Sequence, residues 1–291
     1  MNSPNLVTLR AWGDFACFTR PEMKVERVSY PVMTPSAARG ILEAIFWEPQ
    51  MFYLIDSIRV VKRGRWISIR RNEVTKVVSL DNATTWMQSP EKTKPIQAGG
   101  GAEDGTQRNM LALQEVEYLI TAEVRLTPLA QPPRDNLGKY LREIEGRARA
   151  GKCFHRPGLG MREFAADFEW VPESPDAALA RRATELGQSP VRGEEPLGLM
   201  LYDVFDPQGR AAGFRWLTED ELTAQAATFE QTLTGMKKGE QTKRRKEFAI
   251  SRLRSSTAPL KPQPLFFDAR LRDGCLDCHP ERVLTPNNGG N

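Results

Sequence analysis

The sequence predicts an α+β protein, and three observations carry that prediction. Segments that alternate apolar and polar residues occur at 5–12, 51–62, 65–71 and 116–127, the period of a strand. Two segments at 34–48 and 136–150 have helical periodicity, each with start and stop signals. The 291 residues are 40% hydrophobic and 27% charged, an ordinary globular balance that allows a sizeable core. No apolar run of about 18 residues occurs, so no spanning helix is expected. Met1-Asn2-Ser3-Pro4-Asn5 has neither the basic nor the apolar part of a secretory leader, and a cytoplasmic address is expected. Four cysteines are too few for a disulfide scaffold.

In chain order, Val7, Leu9 and Ala11 alternate with Thr8 and Arg10 in the first strand. Thr34 is a good N-cap, and Pro35 occupies the first helical position, where its missing N–H costs nothing. Ala38, Ile41, Leu42 and Ile45 form the stripe of that helix, and Pro49 is expected to stop it after Glu48. A strand at 51–62 is followed by one at 65–71, in which Trp66, Ser68 and Arg70 share one face and Ile67 and Ile69 the other. From Val78 to Asn109 the pattern fails around Gly99-Gly100-Gly101 and Gly105, which predicts a long mobile excursion. The strongest strand sets Val116, Tyr118, Ile120, Ala122 and Val124 against Glu117, Leu119, Thr121 and Glu123, predicting one buried and one wet face. Asp135 or Asn136 caps the second helix, whose Leu137, Tyr140, Leu141, Ile144 and Ala148 face the core before Gly151 ends it.

This order resembles β-α-β-β-α-β, the ferredoxin-like split motif whose open sheet many RNA-binding proteins use. The expected fold is therefore a ferredoxin-like, RRM-like N-terminal domain over 1–152. A smaller antiparallel β-sheet C-terminal domain is expected over 153–217, with strands at 160–171, 197–205 and 213–217. Residues 218–291 form a basic C-terminal extension: a capping box at Thr218–Glu221, an amphipathic helix, a basic run and a flexible tail.

Forty-one Lys and Arg against 37 Asp and Glu leave a net charge of only +4. The charge is nevertheless segregated. Residues 59–76 carry Arg59, Lys62, Arg63, Arg65, Arg70, Arg71 and Lys76 against Glu73 alone, and 134–162 and 237–254 are also basic. Any one such stretch is compatible with a merely solvated face. Three of them, two arginine-rich, point to a polyanion, because the arginine fork fits phosphate bidentately and stacks on bases.

Few motifs carry chemistry. Cys275-Leu276-Asp277-Cys278-His279 has the C-x-x-C-H form of haem attachment or half a zinc site, but zinc needs four ligands and an incidental tail motif is the simpler reading. The glycine cluster at 99–105 lacks the G-K-[ST] of a phosphate loop and reads as a hairpin tip. With His155 and His279 the only histidines and few acids in the basic regions, any nuclease chemistry is expected to need no metal and no cofactor. RNA permits that, since its own 2′-OH can attack the neighbouring phosphate, given a base, a cation and a proton donor. Lys139, Tyr140 and His155, among Arg142, Arg149 and Arg156, offer all three types. For each a bland alternative stands: Tyr140 in the core, Lys139 merely solvated, His155 bonded to its own backbone.

The motifs Gly13–Pro21, Ser29-Tyr30, the helix at 34–47, Trp66–Val74, Thr106–Leu113 and Cys153–Phe164 together resemble the CRISPR-associated RAMP proteins of the fifth Cas family, type I-C subtype, from about Val7 to Leu217. The resemblance implies a Cascade subunit that holds the crRNA 5′ handle and cleaves the precursor crRNA repeat hairpin, leaving a 5′-OH and a 2′,3′-cyclic phosphate. It implies as partners crRNA and its precursor, the seven-type backbone and eight-type large subunits, and target DNA through the complex, with no membrane. It makes 78–110 a thumb over the RNA. The family's active site pairs a Tyr on the first helix with an adjacent Lys-His. Here Phe46 stands at the Tyr position, Lys139 at the Lys and Tyr140 at the His. The expected catalytic residues are thus Lys139, Tyr140 and His155. Expected RNA contacts are Arg20, Lys24, Arg39, Arg63, Arg65, Arg70, Arg71, Arg108, Arg142, Arg149 and Arg156. The rival expectation is a non-catalytic subunit that only holds the handle.

Overall fold

The spine of the molecule is one strand far longer than its alternation announces. In the computed structural model, which describes residues 5–97, 99, 101–187, 191–213, 217–254 and 260–284 (side chains of 250–254 excepted), β5 runs Gly105–Leu126. Its C-terminal part lies antiparallel between β1 (Leu6–Ala16) and β3 (Met51–Lys62). Its N-terminal part pairs with β4 (Arg65–Val74) in a two-stranded ribbon, and a short β2 (Arg27–Val28) joins it in parallel at Met110 and Leu111. The two parts meet at Glu115, a non-glycine residue at φ 60°, opposite Gly64 at φ 81°. A Cβ on Gly64 would stand 2.7 Å from a Val116 methyl, so the bend needs glycine there.

The helices cover both sides of this sheet. α1 (Pro35–Ile45) starts as expected, with the Thr34 hydroxyl accepting from the Ala37 N–H, a cap that contributes about 1 kcal/mol. Ala38, Ile41, Leu42 and Ile45 are fully enclosed against Tyr118, Ile120 and Val124. The expected end at Glu48 comes three residues early. Phe46 is extended, its N–H closes on the Leu42 carbonyl, and its own carbonyl accepts from the Tyr53 hydroxyl at 2.9 Å. α3 (Leu137–Arg149) packs beside α1 through Tyr140, Ile144 and Ala148, and Asn136 is its cap.

The opposite face of β5, expected wet, is closed too. α4 (Pro175–Glu185) buries Leu119 with Val171 and Ala178. Glu117, 5% exposed, is reconciled with that burial by Arg10 at 2.7 Å and by Arg182 at 2.6 and 2.9 Å. These partners lie 107 and 65 residues away, beyond the reach of periodicity.

The excursion at 78–109 is partly regular. Ser79 caps α2 (Leu80–Gln88), and β5 begins at Gly105. At the tip the Gly105 N–H reaches the Ala102 carbonyl, and Lys76 pairs with Asp104. Strand β6 (Asp167–Trp170) is shorter than the expected 160–171 and pairs with β1. β7 (Glu194–Asp203) is followed by a short α5 (Pro207–Ala212), while 214–216 of the expected strand at 213–217 lie outside the described residues.

The basic extension contains structure that its composition hid. α6 (Glu219–Thr232) opens on the expected capping box, and α7 (Lys238–Arg254) returns beside it with Phe229 stacked on Phe248 at 4.0 Å. Residues assigned to a flexible tail form β8 (Leu265–Arg272), β9 (Cys275–Asp277) and α8 (Pro280–Val283). Alternation in Phe267, Ala269 and Leu271, all buried, was the available signal. The segment 285–291 lies outside the described residues. Among those described, the strands form one sheet ordered β6-β1-β5-β3-β9-β8-β7, with β2 and β4 also on β5.

Candidate active site

The C-terminal end of α1 is the junction on which the candidate residues are mounted. Because Phe46 turns away from the helix, its ring lies 6.2 Å from that of Tyr140 on α3 and 6.0 Å from Phe154, with which it stacks. The freed Ala44 carbonyl accepts from the N–H groups of Phe154 and His155, at 2.8 and 3.1 Å. Arg147 donates from Nε to the Ile45 carbonyl at 3.0 Å and lays its guanidinium 4.0 Å over the Phe154 ring. The backbone at His155 is thus fixed to α1, while its imidazole is exposed and, among the described residues, makes no hydrogen bond or ion pair.

Lys139 projects from the first turn of α3. Its Nζ lies 3.4 Å from Asp135, 3.6 Å from Glu48 and 4.8 Å over the Tyr140 ring, and its side chain is 33% exposed. Asp135 is almost wholly enclosed and accepts from the Gln131 N–H, the Arg134 guanidinium and the Tyr140 hydroxyl. Arg134 first, then the Gln131 N–H, hold its carboxyl well below the ordinary 3.8. Burial, reinforced by Asp135, pushes the Tyr140 phenol well above 10.

The role expected of Tyr140 therefore needs correction. Its side chain is fully buried and its hydroxyl donates to Asp135 at 3.1 Å, so it has no surface on which to meet a 2′-OH. It anchors Asp135 and supplies the ring under Lys139.

The expected RNA contacts divide sharply. Arg39 is a structural residue: only 11% exposed, it holds Asp203 on β7 through two bonds of 2.6 and 2.9 Å and Glu43 through a third. Arg63 grips Glu195 through both nitrogens at 2.6 Å, and Arg71 is turned inward to Glu73. Arg20 lies 4.4 Å over the Tyr30 ring, Arg108 faces Glu26 and Arg149 faces Glu145. Lys24, Arg65, Arg70, Arg142 and Arg156 are exposed. Arg142, Arg149 and Arg156 belong to the Lys139 side of the molecule, Arg65 and Arg70 to the ribbon.

Three participants were missed: Glu48, Arg147 and Phe154. Arg147 follows Tyr140 by seven residues, two helical turns, so helical spacing alone placed it on the same face. The C-x-x-C-H segment closes the sheet instead of opening a site. Cys278 is buried and its N–H donates to the Asp56 carbonyl, while His279 Nε2 stands 3.6 Å from Glu123. Among the described residues no three His, Cys, Asp or Glu groups converge as metal ligands.

A mixed α/β chain built on an antiparallel sheet has a counterpart among solved proteins. The crystal structure of a CRISPR-associated protein matches it with a TM-score of 0.50, at 15% identity over 94% of this chain and 90% of that one. The Cas5d family, described as CRISPR-associated protein (Cas_Cas5), matches residues 6–246, and the chain belongs to it. It is 39% identical over 210 residues to the "CRISPR pre-crRNA endoribonuclease Cas5d" of Mannheimia succiniciproducens, covering 72% of this chain and 89% of that protein. It is 36% identical over 278 residues to the protein of that name from Thermus thermophilus, covering 94% and 91%.

Proposed function

We propose that this Cas5 protein of type I-C is a pre-crRNA endoribonuclease that cuts the repeat hairpin and stays on the 5′ handle as a subunit of Cascade. Two relatives named for that activity, alike over most of their length, support the reading. The observation that carries the chemistry is Lys139, a third exposed and oriented by Asp135, Glu48 and the Tyr140 ring. The strand order β6-β1-β5-β3 supports a ferredoxin-like reading, and we take 1–152 as the RAMP unit, its sheet completed by β6 from the segment that follows, with 78–110 as its thumb. On this reading 153–217 is the β-rich unit, extended by β8 and β9. Backbone and large Cascade subunits, and target DNA through them, are the partners.

In the reaction, a 2′-oxygen attacks the adjacent phosphorus as the bond to the 5′-oxygen breaks, giving a 2′,3′-cyclic phosphate and a 5′-OH. The phosphate enters beside Lys139 and displaces the exposed Glu48 carboxylate, so that the ammonium meets the charge growing on the phosphorane oxygens. His155, mounted on the Ala44 carbonyl, exchanges the proton taken from the 2′-OH or given to the leaving oxygen. Arg142, Arg149 and Arg156 hold the flanking backbone, and Arg147 keeps Phe154 and His155 in place. Product analysis in EDTA tests this. Cyclic-phosphate and 5′-OH ends from the native chain, and none from Lys139→Ala, are expected; 3′-OH and 5′-phosphate ends refute it.

A further inference from the structure

The ribbon of β4 and β5 has two unlike faces. Inward, Ile67 and Ile69 pack with Met110, Ala112, Cys17 and Met161. Outward, the register pairs Trp66 with Leu113, Ser68 with Leu111, Arg70 with Asn109 and Asn72 with Gln107. The core closes over Leu113, but Trp66 is 50% and Leu111 38% exposed, and Arg70, Asn72, Gln107 and Asn109 face solvent. Among the described residues, no carboxylate of the two strands lies on this face. Glu73 lies on the other side with Arg71, and Glu26 at the edge is taken by the Asn109 N–H and Arg108. Among the described residues Trp66 makes no ring contact and Arg70 no ion pair or side-chain hydrogen bond.

An indole left half in water costs solvation free energy that folding did not recover, whereas each nucleobase has a flat π face to cover it. Arginine beside it suits phosphate, and the amides of Asn72, Gln107 and Asn109 suit base edges. We propose that this face binds unpaired RNA, with a base stacked on Trp66 and a nearby phosphate on Arg70. The two side chains lie four strand positions apart, about 13 Å at roughly 3.3 Å per residue, so a base and a phosphate a short way along one strand are met together. The proposal rests on the reading of the chain as an RNA-processing protein and adds the strandedness and the stacking residue.

The test measures anisotropy of a short fluorescein-labelled unstructured RNA, and of its abasic counterpart, with the full chain. Trp66→Ala and Trp66→Leu are expected to weaken binding of the normal RNA about 10-fold. Trp66→Phe, which keeps a π face, should bind within about two-fold, and Trp66→Ala should match the native chain on abasic RNA. Arg70→Ala should lower the salt slope by about one. Native affinity in Trp66→Ala, or an equal loss on abasic RNA, overturns the stacking. Hairpin cleavage is scored in parallel. A native chain that cuts but ignores the bases of unstructured RNA refutes this proposal alone, and one with Trp66-dependent binding that never cuts refutes only the endoribonuclease reading.

Discussion

Two sets of arginines, indistinguishable by composition, behave oppositely in this molecule. Arg10, Arg39, Arg182 and Arg210 sit at seams between elements, each between 11 and 14% exposed and each paired with a carboxylate. Arg70, Arg142 and Arg156 stand out in solvent with no ion pair among the described residues. The first set fixes α1 to β7 and α5, and β5 to β1 and α4. The second leaves its charge available. The difference teaches that a basic run becomes a polyanion site only where the fold fails to bring an acid to it, and those acids come from far away in sequence, 164 residues for Arg39 and Asp203.

The largest effect that would sharpen this contrast is expected from a cation that stands between the sets. Lys139 touches two carboxylates yet remains a third exposed. Lys139→Ala should lower hairpin cleavage on the order of 100-fold or more, the scale of removing a preorganised charge from a transition state. Gel-shift affinity should stay within several-fold; equal losses of both would make it a binding residue only.

Next is stability. Arg39→Ala leaves the buried Asp203 without its cation and should cost about 3 kcal/mol in urea unfolding. Arg70→Ala should stay within about 0.5 kcal/mol, as exposed substitutions do. Comparable losses would erase the distinction between the sets.

Acid titration probes the seams. Burial alone would raise Glu117, but Arg182 and Arg10 hold its carboxyl below the ordinary 4.5. A carboxyl depressed in the fold adds stability that is complete above its unfolded value and lost as pH falls through the folded one. Asp135, depressed below 3.8, acts in the same sense. Unfolding free energy should therefore drop steadily below about pH 4.5, and Glu117→Gln should flatten that slope. An unchanged slope would mean that Glu117 is not held by its arginines.

The smallest effect is reserved for Tyr140. Tyr140→Phe removes one bond to Asp135 and should cost about 1 kcal/mol of stability with cleavage nearly intact. Loss of cleavage as deep as in Lys139→Ala would return the phenol to the chemistry.

Legibility followed sequence distance. Thr34 and Pro35, the Asn136 cap and the Thr218–Glu221 box announce local structure, because each motif closes within one turn. The two faces of 65–71 were readable as well, since Ile67 and Ile69 alternate with Trp66, Ser68 and Arg70. Features decided by distant partners were hidden. The early end of α1 depends on Tyr53 and Tyr140 meeting Phe46, and the burial of Glu117 depends on Arg10 and Arg182. In the candidate site, Lys139 and His155 were recognisable by residue type. The burial of Tyr140 was visible in its place on the apolar stripe and was outweighed by its position beside Lys139.

The central claim is that the substrate's own 2′-oxygen is the nucleophile and Lys139 answers the charge it creates. The most direct measurement offers the native chain two repeat hairpins in EDTA, one intact and one 2′-deoxy at the scissile nucleotide. Cutting of the intact strand and complete resistance of the deoxy strand are predicted. Cutting of both, or of neither, would contradict the account.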